Sequence, residues 1–356
     1  MKLKDVILPT RLLIIAAILL AVFALASYIT PPAHMIENIN ASGTYVRGCP
    51  EKDCFPSIDD PKFVTVEEGN EMWSDDDEVI GIVYRGIAKA YPLKIVNYHH
   101  IVNDEFGGEP IAITRCALCD TSIAYERTID GRETEFGVLG TLLNSCLVMY
   151  DRNTDTSWTQ IGGVAFDGEL AGEKLRPIEM EHVTWGHWKN RHPNTLILSK
   201  DTGFFKSYEF DIVKISGYTT NEEIHFPIAK NDTRLHPKAR VFGIEMDGKF
   251  RAYPEAEIAK VGILNDRFAG RDILVVQDPE SKLIRVFERR LNGWVLNFEL
   301  KDGRLLDKET ESQWNFEGES TSGTNSGKRL NKVDALEIYW FAWAAYHPET
   351  ELFLAM

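Results

Sequence analysis

The stretch VIGIVYRGIAKAYP, residues 79–92, returns as VFGIEMDGKFRAYP at residues 241–254, and that recurrence decides how the rest of the chain is read. Under a constant shift of 162 positions (241 minus 79), Gly81 falls on Gly243, Gly86 on Gly248 and Ala90-Tyr91-Pro92 on Ala252-Tyr253-Pro254. Asn103-Asp104 falls on Asn265-Asp266, Gly108 on Gly270 and Glu126-Arg127 on Glu288-Arg289. Further along, the shift drops to about 155 (340 minus 185), so that Trp158 meets Trp314, Trp185 meets Trp340, Trp188 meets Trp343 and His192-Pro193 meets His347-Pro348. Residues present in both stretches are read as belonging to the fold. Those present only in the first are candidates for function. The subtraction leaves His99, Cys116 and Cys119, which stand opposite Val261, Asp278 and Ser281.

Each stretch opens with a predicted hairpin, Val79–Tyr84 and Ile87–Tyr91 around Arg85-Gly86, with the favoured turn dipeptide Asp247-Gly248 at the same place in the second. Short alternating strands are predicted over Ile111–Arg115, Ser122–Arg127, Glu133–Val138 and Leu147–Asp151. The first stretch then closes on an aromatic-rich helix, Thr184–Arg191, ended by Pro193, and a strand Leu196–Ser199; the second repeats this with a helix over Ala335–Tyr346. The expected fold class is α+β and β-dominated. It consists of two tandem copies of one hairpin-rich β unit, each with a C-terminal aromatic-rich helix and barrel-like sheets.

A chain of 356 residues with 44% apolar composition can bury about two domain cores. The predicted organisation is a signal peptide or membrane anchor over residues 1–30, a tether over 31–60 and a first repeat over 61–200. A linker over 201–240 and a second repeat over 241–356, degenerate and without the Cys/His site, complete it. Lys2, Lys4 and Arg11 precede an apolar run from Leu12 to Ile29, at roughly 18 residues near the minimum for a membrane span. Ala24-Leu25-Ala26 also resembles a small-x-small cleavage site. Either reading places the remainder outside the cytoplasm, and the membrane is a partner through this segment. The formal charge of −15, with no long basic run, argues against nucleic acid. No sequence feature names a protein partner. In the tether, Cys49 and Cys54 bracket four residues and read as a local disulfide.

Cys116-Ala117-Leu118-Cys119 lies between two predicted strands, and its counterpart Asp278-Pro279-Glu280-Ser281 reads as an ordinary turn. A redox C-x-x-C opens a helix whose dipole lowers the thiol pKa, whereas Thr121-Ser122-Ile123-Ala124-Tyr125 is β-forming. A C-x-x-C on a hairpin presents two thiolates to one metal ion, and thiolate with imidazole suits zinc or copper. His99 is the expected third ligand, with Cys146 a fourth or that position open. His100, Gln160 and Trp158 are read as neighbours of the site, and the tryptophans as packing residues. Three outcomes stay open: a metal site, a Cys116–Cys119 disulfide in a surface binding module, and a dithiol oxidoreductase. No phosphate loop, G-x-S-x-G elbow or helical H-E-x-x-H points to a particular enzyme.

Ala90-Tyr91-Pro92-Leu93 leading to His99, the run Ile113–Cys119, Leu147–Arg152 and Trp340–Pro348 together resemble the group of exported prokaryotic proteins catalogued as domain of unknown function 3179. The resemblance runs from about Phe55 to Leu354 and brings no activity with it. It implies a Cys-Pro-Leu-Cys-Gly pattern over Cys116–Asp120, departed from at Ala117 and Asp120. It also implies a His at His99, a Trp-x-Gln at Trp158 and Gln160, and an acidic or amide residue where Cys146 stands.

Overall fold

The computed structural model describes residues 45–355. The anchor or signal expected over residues 1–30 lies outside these residues. Among the described residues, no helix is long and apolar enough to cross a membrane.

Sequence alternation and turn chemistry build a β-dominated molecule of short antiparallel strands. Glu78–Tyr84 pairs with Ile87–Pro92 from Val79↔Pro92 to Tyr84↔Ile87. The two-residue turn has both residues left-handed, Arg85 at φ 51° and Gly86 at φ 80°, the backbone that matches strand twist. Arg240–Met246 and Lys249–Pro254 pair from Val241↔Pro254 to Met246↔Lys249, around Asp247 and Gly248 at φ 51° and 73°. Each hairpin runs through a proline into a seven-residue helix, Leu93–His99 or Glu255–Val261. An antiparallel meander follows: Ile101–Phe106, Glu109–Cys116 and Thr121–Glu126 in the first half, and Ile263–Phe268, Arg271–Gln277 and Ile284–Glu288 in the second. No strand order closes on itself, so the sheets are open and at most half-barrels.

The helices Leu93–His99 and Glu255–Val261 fall in segments for which the sequence predicted no element. The helix expected over Ala335–Tyr346 is also shorter than its sequence suggests. Ala335–Tyr339 is a strand paired with Arg240–Met246, and the helix is Trp340–Tyr346. Sheet pairing overrides the helix preference of the alanine and leucine there. Both aromatic helices are pinned by the same contact. A Cβ on Gly81 would lie 2.3 Å from the Trp188 ring, and one on Gly243 would lie 2.4 Å from Trp343. Buried polar pegs recur as well. Asp151 accepts from the Trp158 indole at 2.9 Å, and Asp307 accepts from the Trp314 indole at 2.8 Å. Asn103 exchanges two hydrogen bonds with the backbone of Phe136, and Asn265 does so with Phe298.

Residues 201–240 fold back on the first half. Asp211 caps the short helix Ile212–Ile215 and accepts from Asn97 at 3.1 Å, while Tyr208 and Tyr218 are buried. Gly81→Ala and Gly243→Ala each force a methyl into an indole ring. Each is expected to lower unfolding free energy by about 2 kcal/mol through overpacking, measured by urea denaturation.

Candidate metal centre

Two hairpin ends converge to bring three sulfurs together. Glu109–Cys116 and Thr121–Glu126 stay paired up to Cys116↔Thr121, so Ala117, Leu118, Cys119 and Asp120 form the turn. Phe136–Leu143 and Cys146–Asp151 close at Leu143↔Cys146, with Asn144 and Ser145 left-handed at φ 51° and 62°. Cys146 is therefore the first residue after a tight turn, delivered against the other hairpin's tip. The sulfurs of Cys116, Cys119 and Cys146 lie within 4.8 Å of one another, and the three residues are 2%, 0% and 0% exposed. Three thiolates about 2.3 Å from one ion would sit about 4 Å apart, so little rearrangement separates this arrangement from a shared first shell. All three are free thiols.

Burial alone would raise all three thiol pKa values. Cys116 nonetheless falls well below the usual thiol value, because the Cys119 and Cys146 thiols and the backbone N–H groups of Cys119 and Leu147 donate to its sulfur. Cys119 and Cys146 are raised, by burial first and then by their hydrogen bonds to Cys116. A bound cation would ionise these two as well.

The two turns are braced by groups far away in sequence. The Tyr218 hydroxyl donates to the Leu118 carbonyl at 3.0 Å, and the Tyr346 hydroxyl donates to the Leu143 carbonyl at 3.2 Å. Both phenols are kept neutral by burial and then by the neighbouring sulfurs. The Tyr339 N–H donates to the Cys119 carbonyl at 2.9 Å. Asp120 stands at φ 53°, where glycine is at ease and another residue costs on the order of 1 kcal/mol. Its carboxylate accepts from Arg115 Nη2 at 2.5 Å and from Arg240 Nε at 2.7 Å. These pairs offset the backbone cost and explain how aspartate can occupy the position. The sequence flagged Asp120 only as a departure from the family pattern and did not point to Tyr218, Tyr346 or Arg240 as braces, because these roles depend on contacts between distant segments.

His99, expected as the third ligand, is not among the atoms that converge. It ends the helix Leu93–His99, and that helix turns its ring toward residues 201–240. Nδ1 meets the Pro56 carbonyl at 2.8 Å and Nε2 meets the Tyr208 hydroxyl at 2.6 Å. Both nitrogens are therefore engaged, and burial lowers the imidazole pKa to about 4. Cys146 takes the third place instead. His100 lies closer to the centre, lining an apolar pocket of about 210 Å³ together with Cys116. Gln160 is buried beside the cysteine hairpin, its Nε2 3.2 Å from Thr114 Oγ1 and 3.3 Å from the Thr121 carbonyl. Its Oε1 has no hydrogen-bond partner among the described residues. Trp158 is fully buried against Phe136 and serves as packing. Cys49 and Cys54 form a disulfide, and their loop docks on the Gly140 carbonyl through the Cys49 N–H at 3.0 Å.

The family model described as "Protein of unknown function (DUF3179)" matches residues 52–350, and the chain belongs to that family. No curated protein and no solved structure matches it.

The Arg115 and Arg240 guanidiniums hold Asp120, against the opposing effect of burial, down to about 2 from its usual 3.8. The folded pKa is depressed, so this stabilisation is complete above the unfolded value and is lost as pH falls through about 2. Asp120→Asn is expected to cost about 3 kcal/mol at neutral pH, since it leaves the buried Arg115 guanidinium short of charge, whereas the half-buried Arg240 keeps Glu337. Urea midpoints measured from pH 7 downward should show the wild type losing its advantage over this variant only in the acid range.

Proposed function

We propose that the chain holds one soft metal ion, zinc or copper, between Cys116, Cys119 and Cys146, and acts as an exported metal-binding or redox accessory protein. The observation that carries this reading is the convergence of three buried sulfurs, from two separate hairpins, within 4.8 Å. One local pair of cysteines is commonly a staple. A third thiol brought from another hairpin, with none oxidised, is the donor set that soft cations select. The strand Thr121–Glu126 follows Cys119 where a redox C-x-x-C would place a helix N-terminus, which weighs against the dithiol oxidoreductase.

The site belongs, in this reading, to the first of two tandem copies of one folding unit, spanning 61–200 and 241–356. The matched hairpin registers, the Gly81–Trp188 and Gly243–Trp343 contacts and the paired Asp–Trp bonds support the duplication. The second copy has Asp278 and Ser281 for the first two cysteines, and Arg304 follows the turn that matches Asn144–Ser145. The Cys49–Cys54 disulfide fits an oxidising, extracytoplasmic setting with residues 1–30 as anchor or signal.

Elemental analysis of the full chain, purified without chelator or oxidant, tests the assignment together with a thiol count. About one equivalent of zinc or copper is expected. It should be lost in Cys146→Ser and Cys116→Ser and retained in His99→Ala. Absence of metal, with Cys116 and Cys119 missing from the thiol count, would replace this reading with a disulfide-stapled binding module.

A further inference from the structure

The pocket beside Cys116 is lined by two imidazoles, His100 and His225, and neither belongs to the three-sulfur cluster; His100 is the one whose backbone is strained. His100 follows the helix Leu93–His99 at φ 60° and ψ −31°, a backbone conformation that side chains seldom adopt. The matching residue of the second half is Gly262, at φ 69° and ψ −35°, where no side chain has to be accommodated. The first half thus keeps a histidine where the backbone favours glycine. Strain retained in this way marks a position held for something other than the fold.

The ring is fixed from one side. Nδ1 lies 3.0 Å from the Arg115 carbonyl oxygen. A carbonyl only accepts, so Nδ1 carries the proton and the lone pair sits on Nε2. Nε2 has no hydrogen-bond partner among the described residues, and burial favours the neutral ring. The imidazole is not among the ligand atoms that gather within 4.8 Å. It shares the pocket lining with Cys116, the only one of the three cysteines to reach that lining. The remaining wall is largely apolar, with Phe55, Val138, Leu142, Leu147, Val213 and Phe226.

Building on the three-thiolate reading, we propose that the fourth position of the ion opens into this pocket and takes a small apolar thiol, whose proton passes to Nε2 of His100. Each part of the ligand answers to a part of the site. The hydrocarbon walls fit a hydrocarbon body, an ion held by thiolates selects a sulfur head, and the free lone pair accepts the proton that the head must lose. In the step, the S–H bond breaks, the sulfur lone pair binds the ion and the proton forms an imidazolium. No electron is transferred and no further reactant is needed. The imidazolium also offsets the negative charge that a fourth thiolate adds.

The test uses the full chain loaded with cobalt(II) in place of the native ion and titrated with 1-propanethiol. Wild type is expected to gain thiolate-to-cobalt charge-transfer absorbance that saturates, a signal that reduction of the Cys49–Cys54 disulfide does not produce. His100→Gly, which installs the residue found at Gly262, should keep its equivalent of cobalt and its starting spectrum. Its affinity for the thiol should fall at least about tenfold, the usual consequence of losing a hydrogen bond to a charged group. Unchanged thiol binding in His100→Gly, or cobalt-loaded wild type that ignores the thiol, would overturn the proposal. Loss of cobalt from His100→Gly would overturn it differently, by making His100 a ligand. Wild type that takes up no metal would remove the three-thiolate reading itself.

Discussion

At the Asp120 carboxylate, two guanidiniums 125 positions apart in sequence (240 minus 115) meet, one buried and one half-buried. Arg115 lies on the strand leading into the cysteine turn, and Arg240 opens the first strand of the second half. Asp120 is 5% exposed, and a carboxylate so buried is costly unless it is paired, as it is here with Arg115 and Arg240. With them, the left-handed residue that closes the turn is fixed, and the sulfurs of Cys116 and Cys119 are turned inward. The same contact seats the strand Ala335–Tyr339, whose Tyr339 N–H bonds the Cys119 carbonyl. The following helix then carries Tyr346 to the Leu143 carbonyl beside the other hairpin. The half without thiols is therefore part of the scaffold that assembles them.

That scaffold creates an electrostatic problem that a cation would relieve. Three thiols in a dry cluster support one thiolate by hydrogen bonding among themselves, and the remaining protons are held tightly. Nearby phenols add donors but no charge, and Gln160 Oε1 and Ser145 Oγ remain unpartnered among the described residues. Such a cluster is costly as pure structure, since packed apolar residues fill a core at least as well. In the proposed reading, a soft ion would add positive charge at the centre of the three sulfurs, where the protein's own cation nearby is the guanidinium of Arg115.

The sequence carried the architecture well and the site only in part. Hairpins announced themselves through Arg85-Gly86 and Asp247-Gly248, and the recurrence of Gly, Trp and Asn at fixed shifts followed real contacts. The turn at Cys116–Cys119 was legible because its counterpart Asp278–Ser281 is an ordinary turn. His99 misled for a physical reason. The segment Leu93–His99 is rich in β-branched and aromatic residues, yet it forms a helix, which turns His99 toward Tyr208 and leaves His100 facing the pocket. Cys146, in an apolar run, was expected only as an optional fourth ligand. Its place beside the other two depends on the meeting of two hairpins, which no local pattern encodes. Tyr218 and Tyr346 are separated from the cysteines by most of a domain and carry no motif.

X-ray absorption at the metal edge of the full chain, as purified, measures the central claim directly. The account predicts three sulfur scatterers at about 2.3 Å from a single zinc or copper ion, with at most one lighter or additional neighbour. A first shell containing two sulfurs or fewer, or one dominated by nitrogen and oxygen, would contradict it.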